Sequence, residues 1–238
     1  ALSMAEEKRF AKEREKIESF SDFSNVYNFK KDFKYSYKTD AGLTEEIVRE
    51  ISAQKDEPEW MLQARLKSLE LFYKIDYPTW GPDISELQMD NIVTYVRPDA
   101  GLKADWNEVP EDIKDTFDRL GIPEAEKTSL AGVGAQYDSE VVYHSIQEEL
   151  VKQGVVYTDF DTALKEHEDI VRKHFMKLIP PTDHKFAALH GAVWSGGSFV
   201  YVPEGVQVDI PLQSYFRLNA PGAGQFEHTM IIVEKGAK

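Results

Sequence analysis

The chain has 238 residues, 42% of them hydrophobic, so it can bury the core of one large domain or two ordinary ones. Asp and Glu outnumber Lys and Arg by 42 to 28, for a formal net charge of −14, and an acidic surface of that size repels phosphate and argues against general nucleic-acid binding. Cysteine is absent, which excludes a disulfide, a thiolate nucleophile or a cysteine-ligated metal from these residues, and no run approaches the about 18 apolar residues of a membrane helix. These features, with no cleavage-type signal in "ALSMAEEKRFAKEREKIE", lead us to expect a soluble cytoplasmic protein.

In chain order, residues 1–41 form a charged arm. "MAEEKRFAKEREKIESF" interleaves Glu with Lys and Arg at helical spacing, the pattern of a solvated, frayed helix, and "NVYNFKKDFKYSYKT" is aromatic, basic and irregular or strand-like. A helical pair follows. Thr44 caps "TEEIVREISAQKD", with Glu45 and Glu46 where the helix dipole favours anions. Pro58 starts "PEWMLQARLKSLELFYKI", whose Trp60, Met61, Ala64, Leu66, Leu69, Phe72 and Tyr73 form a broad apolar face that core packing explains. Residues 76–110 are rich in proline and glycine and read as a long connector, with "NIVTYVRP" as a short strand. Helices are predicted again for "PEDIKDTFDRLG", stopped by Gly121, for a short turn in "PEAEKTSLAG", and for "DSEVVYHSIQEELVKQG", ended by Gly154. "TDFDTALKEHEDIVRKHFMKLIPP" reads as one more helix, stopped by Pro180 and Pro181, and "DHKFAALHGAVW" as the last.

After Ser195-Gly196-Gly197 the period changes. "SFVYV", "VQVDI", "QSYFRLN" and "FEHTMIIVE" are short, β-branched or aromatic and alternating, separated by the turn chemistry of "PEG", a proline and "NAPGAG". Such strands with no helices between them suggest a sandwich, a barrel or a β-solenoid. A solenoid needs about three coils to bury its core, and the pattern runs to Lys238 without a closing element, so the C-terminus reads as cut.

The chemistry-bearing residues are sparse. No His-x-His, HExxH or Gly-x-Ser-x-Gly pattern is present, and Gly196-Gly197 lacks the Lys-Ser/Thr partner of a phosphate loop, which leaves a tight turn into the first strand. His167 and His174 are seven apart and so share one helical face; with Glu166 near they could hold a metal, but a solvated face accounts for them. Glu227-His228 lacks the histidine spacing of a cupin. No metal site and no catalytic residue is assigned. In "SYFRLN", Tyr215, Arg217 and Asn219 lie on one face of a strand, with Phe216 and Leu218 on the other. That polar face is either turned to solvent or lines a path for an anion.

"FAALHGAVWSGGSFVYVPEGVQVDIPLQSYFRLN" followed by "GQFEHTMIIVEKGA" resembles the SufB side of the SufB/SufD family, scaffold proteins of the SUF iron–sulfur cluster assembly system. The upstream "GLTEEIVREIS", "DEPEWMLQARLKSLELFYKI" and "PPTDHKFAAL" resemble its N-terminal region, so that the likeness runs from Gly42 to Lys238. The resemblance implies an α+β chain: a helical N-terminal domain over 42–192, then the first coils of a truncated right-handed parallel β-helix over 193–238. It implies a scaffold rather than an enzyme. The implied partners are a SufC-type ABC ATPase, a SufD-type paralogue or a second SufB, and a cysteine desulfurase with its sulfur-transfer protein, with no nucleic acid and no membrane. The full-length family assembles an iron–sulfur cluster and has been associated with reduced flavin; these residues by themselves are expected to hold no cofactor, because the family's cysteine lies beyond them. The family's Arg and Asn of the F-R-[IL]-N motif fall on Arg217 and Asn219, on the sulfur path. The sequence departs from the family at Glu204, where Lys is common, at His190, where Asn is common, and at His228, where Arg is common. The rival readings are a stand-alone, non-catalytic protein-interaction module with an open β-solenoid edge, and a cupin-type enzyme that would carry a tightly bound divalent metal.

Overall fold

A computed structural model of the protein describes residues 34–119 and 132–238. The charged stretch of the arm, the predicted turn in "PEAEKTSLAG" up to Ala131, and the Gly121 stop lie outside the described residues. The fold is mixed α and β: seven α-helices and three small sheets among the described residues, with no closed barrel.

Strand β1 (Tyr35–Lys38) pairs antiparallel with β2 (Val96–Pro98), so the end of the arm is tied to the connector, and β2 occupies only the last part of the predicted "NIVTYVRP" strand. Helix α1 (Glu45–Gln54) begins as expected, with the Thr44 hydroxyl accepting from the Ile47 amide at 3.3 Å, and it buries Ile47, Val48 and Ile51. Helix α2 (Glu59–Lys74) follows Pro58, which stands at the cap with φ −64°. Its predicted apolar face is half right. Met61, Leu69 and Phe72 are buried, whereas Tyr73 is exposed and Arg65 is fully enclosed. Arg65 donates to both carboxylate oxygens of Glu57, at 2.8 and 2.5 Å, and to the Ala192 carbonyl at 3.1 Å, and its guanidinium lies 4.5 Å from the centre of the Trp194 ring. A buried cation is tolerated only with this degree of pairing. The partner helix α7 (Lys185–Val193) comes close through small residues, and a Cβ at Gly191 would stand 2.4 Å from the Ser68 hydroxyl. Lys185 at the start of α7 donates to the carbonyls of Phe72 and Ile75 at 2.6 and 2.9 Å, satisfying the C-terminal end of α2. Helix α3 (Glu111–Arg119), with its N-terminal side at Pro110 as predicted, packs Ile113 and Phe117 into a second cluster with Trp106 and Tyr137.

The helix predicted for Asp138 to Gly154 is corrected. Strand β3 (Gly132–Tyr137) turns at Asp138-Ser139 into the antiparallel β4 (Glu140–Ile146), and only Glu148–Lys152 is helical, as α4. Val141, Val142 and Tyr143 favour a pleated surface, and Asp138 adopts φ +53°, the left-handed conformation that a tight hairpin requires. The predicted helix from Thr158 is broken as well. β5 (Val156–Asp159) takes its first residues, Asp159 caps α5 (Phe160–Glu166), and a non-helical His167 separates α5 from α6 (Glu168–His174). His167 and His174 therefore do not share a helix face.

Of the four strands predicted after Gly197, three form: β6 (Ser198–Val202), β7 (Leu212–Arg217) and β8 (Met230–Val233). "VQVDI" is not a strand; Val206 and Val208 instead exchange backbone hydrogen bonds with Lys238 at 3.0 and 2.8 Å. One sheet has the order β4-β3-β7 and the other β5-β6-β8, with β3 parallel to β7 and β6 parallel to β8. Both sheets thus join strands from either side of residue 193. Phe199 and Met230 pack one face of the second sheet against Phe160, Phe175 and Trp194. Val200, Val202, Ile231 and Val233 line a groove of about 430 Å³ shared with Leu212 and Phe216 of β7.

Gly196 and Gly197 form the expected tight turn, with φ +71° and +100°. The reason for the second glycine is contact: a Cβ there would stand 2.0 Å from the His228 carbonyl oxygen. Gly197→Ala should therefore lose the roughly 1–2 kcal/mol of a left-handed non-glycine residue and, in addition, displace the segment leading into β8. Gly205→Ala, at φ +72° with open space around it, should lose only the first contribution. Urea unfolding of the two variants checks this, and equal losses would contradict the close-approach argument.

Candidate functional site

Arg217 and Asn219 sit at the end of β7, and the alternation read from the sequence holds while its orientation is settled: they face inward. Arg217 is 8% exposed and Asn219 0%, whereas Phe216 on the other face is 39% exposed. The solvent-facing alternative is thereby excluded. The end of β7 is held by the β3–β4 turn. Asp138 donates its amide to the Arg217 carbonyl at 2.8 Å, and its carboxylate oxygen accepts the amides of Asn219 and Ala220 at 2.6 and 2.9 Å. The Gln225 side chain donates to the carbonyls of Asp138 and Arg217 at 2.8 and 3.2 Å. Asn219 Nδ2 donates to the Tyr35 hydroxyl at 3.2 Å, which places β1 over the same spot. Burial pushes the Tyr35 phenol up to about 12, with the Asp138 carboxylate adding to the shift against the Asn219 bond.

A second polar centre lies beside the same turn. Lys55, at the end of α1, donates to Asp161 Oδ2 and to the Ser195 hydroxyl, each at 2.8 Å, and stands 3.6 Å from Glu140. Ser195 in turn donates to the Ser139 carbonyl at 2.5 Å. Burial works against the ammonium, but Asp161 and Glu140 outweigh it and hold the Lys55 pKa above its ordinary value. Glu140 is pushed up by burial against the pull of Lys55, and it accepts a hydrogen bond from the Tyr95 hydroxyl. Lys55, Glu140 and Asp161 line an open cleft of about 290 Å³ together with Arg97 and Lys165. No sequence pattern marks Lys55 or Arg65. Asp138 carried a signal, since Asp-Ser is turn chemistry, but the helical appearance of the following Gln-Glu-Glu-Leu masked it.

A third feature joins two positions that stand thirty-eight apart in sequence. His190 Nε2 and His228 Nδ1 share a hydrogen bond of 2.7 Å. The resemblance leads us to expect Asn and Arg at these two positions; Glu204, singled out with them, is exposed in the turn after β6. The His228 ring is enclosed by Phe160, Phe175 and Trp194, at centroid distances of 4.7, 4.8 and 5.9 Å. Burial, with the Arg65 charge nearby, lowers His190 to about 4; burial, His190 and Arg65 lower His228 to about 3. Both imidazoles are neutral at pH 7, one donating and the other accepting. Among the described residues no group of three or more His, Asp or Glu is arranged to hold a metal ion, and His167 and His174 are not brought into one. No helix among them is long and apolar enough to cross a membrane.

Comparison with known proteins identifies the family. Residues 44–214 match the profile described as the SufBD protein N-terminal region. The chain is 60% identical over 201 residues to the iron–sulfur cluster assembly protein SufB of Bacillus subtilis (strain 168), an overlap of 84% of this chain and 43% of that protein. It is 56% identical over 211 residues to an iron–sulfur cluster assembly SufBD family protein of Staphylococcus aureus (strain USA300), covering 89% of this chain and 45% of that one. The chain belongs to the SufBD family. It spans a little under half the length of the curated relatives it matches.

The histidine pair fixes a pH dependence. Both folded-state values lie below the ordinary 6.5, so the unfolded chain binds more protons. The stability the neutral pair contributes is present above about pH 6.5 and is lost as the pH falls towards 4. His190→Asn/His228→Gln, a neutral pair, should flatten the stability–pH curve in that window by roughly one to two protons, while His144, which shifts in the same direction, contributes equally to both proteins. Urea midpoints at pH 7 and pH 5 check this, and an unchanged slope would contradict the neutral pair.

Proposed function

We propose that the chain is part of a SufB-type scaffold on which a nascent iron–sulfur cluster is built, acting with a SufC-type ATPase and a SufD-type paralogue or second SufB in the cytoplasm. The observation that carries this reading is the colinear 60% identity to a protein named SufB over 84% of the chain. The chain's own part would be a platform rather than a turnover enzyme. The parallel pairing of β6 with β8, with β7 of the other sheet between them in sequence, supports reading 193–238 as the first coils of a right-handed parallel β-helix, because successive coils of such a fold stack their strands in parallel.

Sulfur would arrive as persulfide from a cysteine desulfurase, directly or through a transfer protein. A thiolate attacks the outer sulfur, the bond to the donor cysteine breaks, and the donor leaves as thiolate. The 238 residues contain no cysteine, so the accepting thiolate belongs to residues outside them. Arg217 and Asn219 would line this path: a guanidinium suits a persulfide anion and an amide supplies a further donor. Their burial at a strand end pinned by Asp138 supports a fixed rather than a mobile lining. Cluster and any reduced flavin would be cargo or partner of the complete assembly.

The test is a chimera in which this chain replaces the matching region of Bacillus subtilis SufB in cells depleted of their own SufB. The reading predicts that iron–sulfur enzyme activity is restored. It also predicts that Arg217→Ala or Asn219→Ala in the chimera lowers sulfur-35 transfer from cysteine at least tenfold with the melting temperature within a few degrees. A folded, expressed chimera with no activity would overturn the assignment; full activity in both variants would remove Arg217 and Asn219 from the path.

A further inference from the structure

Asn219 is fully buried, and its side-chain amide ends on a residue 184 positions earlier in the chain: Nδ2 donates to the Tyr35 hydroxyl at 3.2 Å. Packing alone would be served by phenylalanine, which fills nearly the same space and brings no polar group that needs a partner. The strand is built to aim this side chain. Its alternation turns Tyr35 and Tyr37 inward and Ser36 and Lys38 outward. The pairing of β1 with β2 shifts register between Tyr35 and Tyr37, an irregularity that redirects side chains. The two tyrosines accordingly enter different places. Tyr37 meets the Tyr95 ring at a centroid distance of 6.2 Å, while Tyr35 packs on the cluster of Val93, Val96 and Ala220 beside the end of β7. Both ends of β1 are anchored, since Asp99 donates its amide to the Lys34 carbonyl at 2.9 Å and Thr39 donates to the Tyr95 carbonyl at 3.2 Å.

The direction of the contact is set from the Asp138 side. A carboxylate only accepts, and the Asp138 carboxylate hydrogen-bonds the protonated Tyr35 phenol. With its proton turned to Asp138, the phenol oxygen is left to accept, so Asn219 meets it with the NH2 and not with the carbonyl oxygen. Burial keeps the phenol protonated, pushing it up to about 12, and the same direction holds across the neutral range. Two groups therefore hold the two parts of Asn219. Asp138 accepts its backbone amide at 2.6 Å, and Tyr35 orients its side-chain amide. An amide that turns over exchanges donor for acceptor at the face it shows a ligand.

We propose that Tyr35 is a positioning residue of the sulfur path, orienting the Asn219 amide through its hydroxyl. This role presupposes the place of Asn219 on that path. It makes β1 a component of the site and not only a tether for the arm.

The test is Tyr35→Phe, which removes the hydroxyl and keeps the ring. In the chimera it should lower sulfur-35 transfer from cysteine by roughly fivefold or more, the factor that about one hydrogen bond is worth, with the melting temperature within a few degrees of the parent. Added to Asn219→Ala it should lower transfer no further, because a residue that acts through another contributes nothing once that other is gone. NMR on the intact chain should show the Asn219 Nδ2 protons exchanging at least about tenfold faster in Tyr35→Phe, while the backbone amides of Asn219 and Ala220 keep their rates under Asp138. Full transfer in Tyr35→Phe beside an impaired Asn219→Ala would overturn the positioning role. So would losses that multiply in the double variant, unchanged Nδ2 exchange, or backbone amides that loosen together with the side chain. Full transfer in Asn219→Ala would instead remove Asn219 from the path, and the Nδ2 exchange rate would still decide whether Tyr35 holds the amide.

Discussion

The carboxylate of Asp138, turned inward at a left-handed hairpin position, is the constraint on which the arrangement of both sheets depends. It accepts the amides of Asn219 and Ala220, while its own amide and carbonyl bond to Arg217 and to the side chains of Gln136 and Gln225. Ser139 extends the same turn in two further directions, exchanging hydrogen bonds with Val96 of β2 and accepting from Ser195 ahead of β6. One two-residue turn therefore ties together β1–β2, β7 and the lead into β6. Each tie satisfies a backbone group that burial would otherwise leave without a partner, and a buried group left so costs about 1–3 kcal/mol.

Around this hub the chain buries charge rather than avoiding it. Arg65 and Glu57 close the α2–α7 contact, and Lys55 with Asp161 and Glu140 closes the gap between α1 and the hairpin. Pairs of this kind add little to stability relative to apolar residues of the same volume, but they cannot be broken singly without leaving a buried charge. Trp194 is sandwiched between these systems. It stacks on the Arg65 guanidinium on one side, and meets Phe160 and Phe175 on the other. The same aromatic group encloses His228, so the helix pair, the sheet β5-β6-β8 and the histidine pair share one packed centre.

What was legible in the sequence followed local physics. Thr44 announced α1, Pro110 the start of α3, Gly196-Gly197 the turn before β6, and the alternation in "SYFRLN" put Arg217 and Asn219 on one face. What was not legible depended on distant partners. Val141-Val142-Tyr143 is a strand because β3 lies beside it, although the Glu-rich residues downstream extend a helical pattern back over it. "VQVDI" alternates as a strand should, yet only Lys238 pairs with it, and it forms no regular ladder. Whether Arg217 and Asn219 face water or protein was decided by Asp138, some eighty residues earlier in the chain. Lys55 and Arg65 gave no local signal at all, and His190 and His228, although singled out one by one, gave none of their pairing, since each contact joins elements far apart in sequence.

The central claim is that the strand end carrying Arg217 and Asn219 is fixed from within by the hairpin turn. The most direct measurement is native-state amide hydrogen exchange at Asn219 and Ala220, followed by NMR on the intact chain. The account predicts protection of the same order as at Ala135 in the middle of β3, because these amides open only when the hairpin and β7 separate. Exchange as fast as at the exposed Gly81 would show that Asp138 does not hold them.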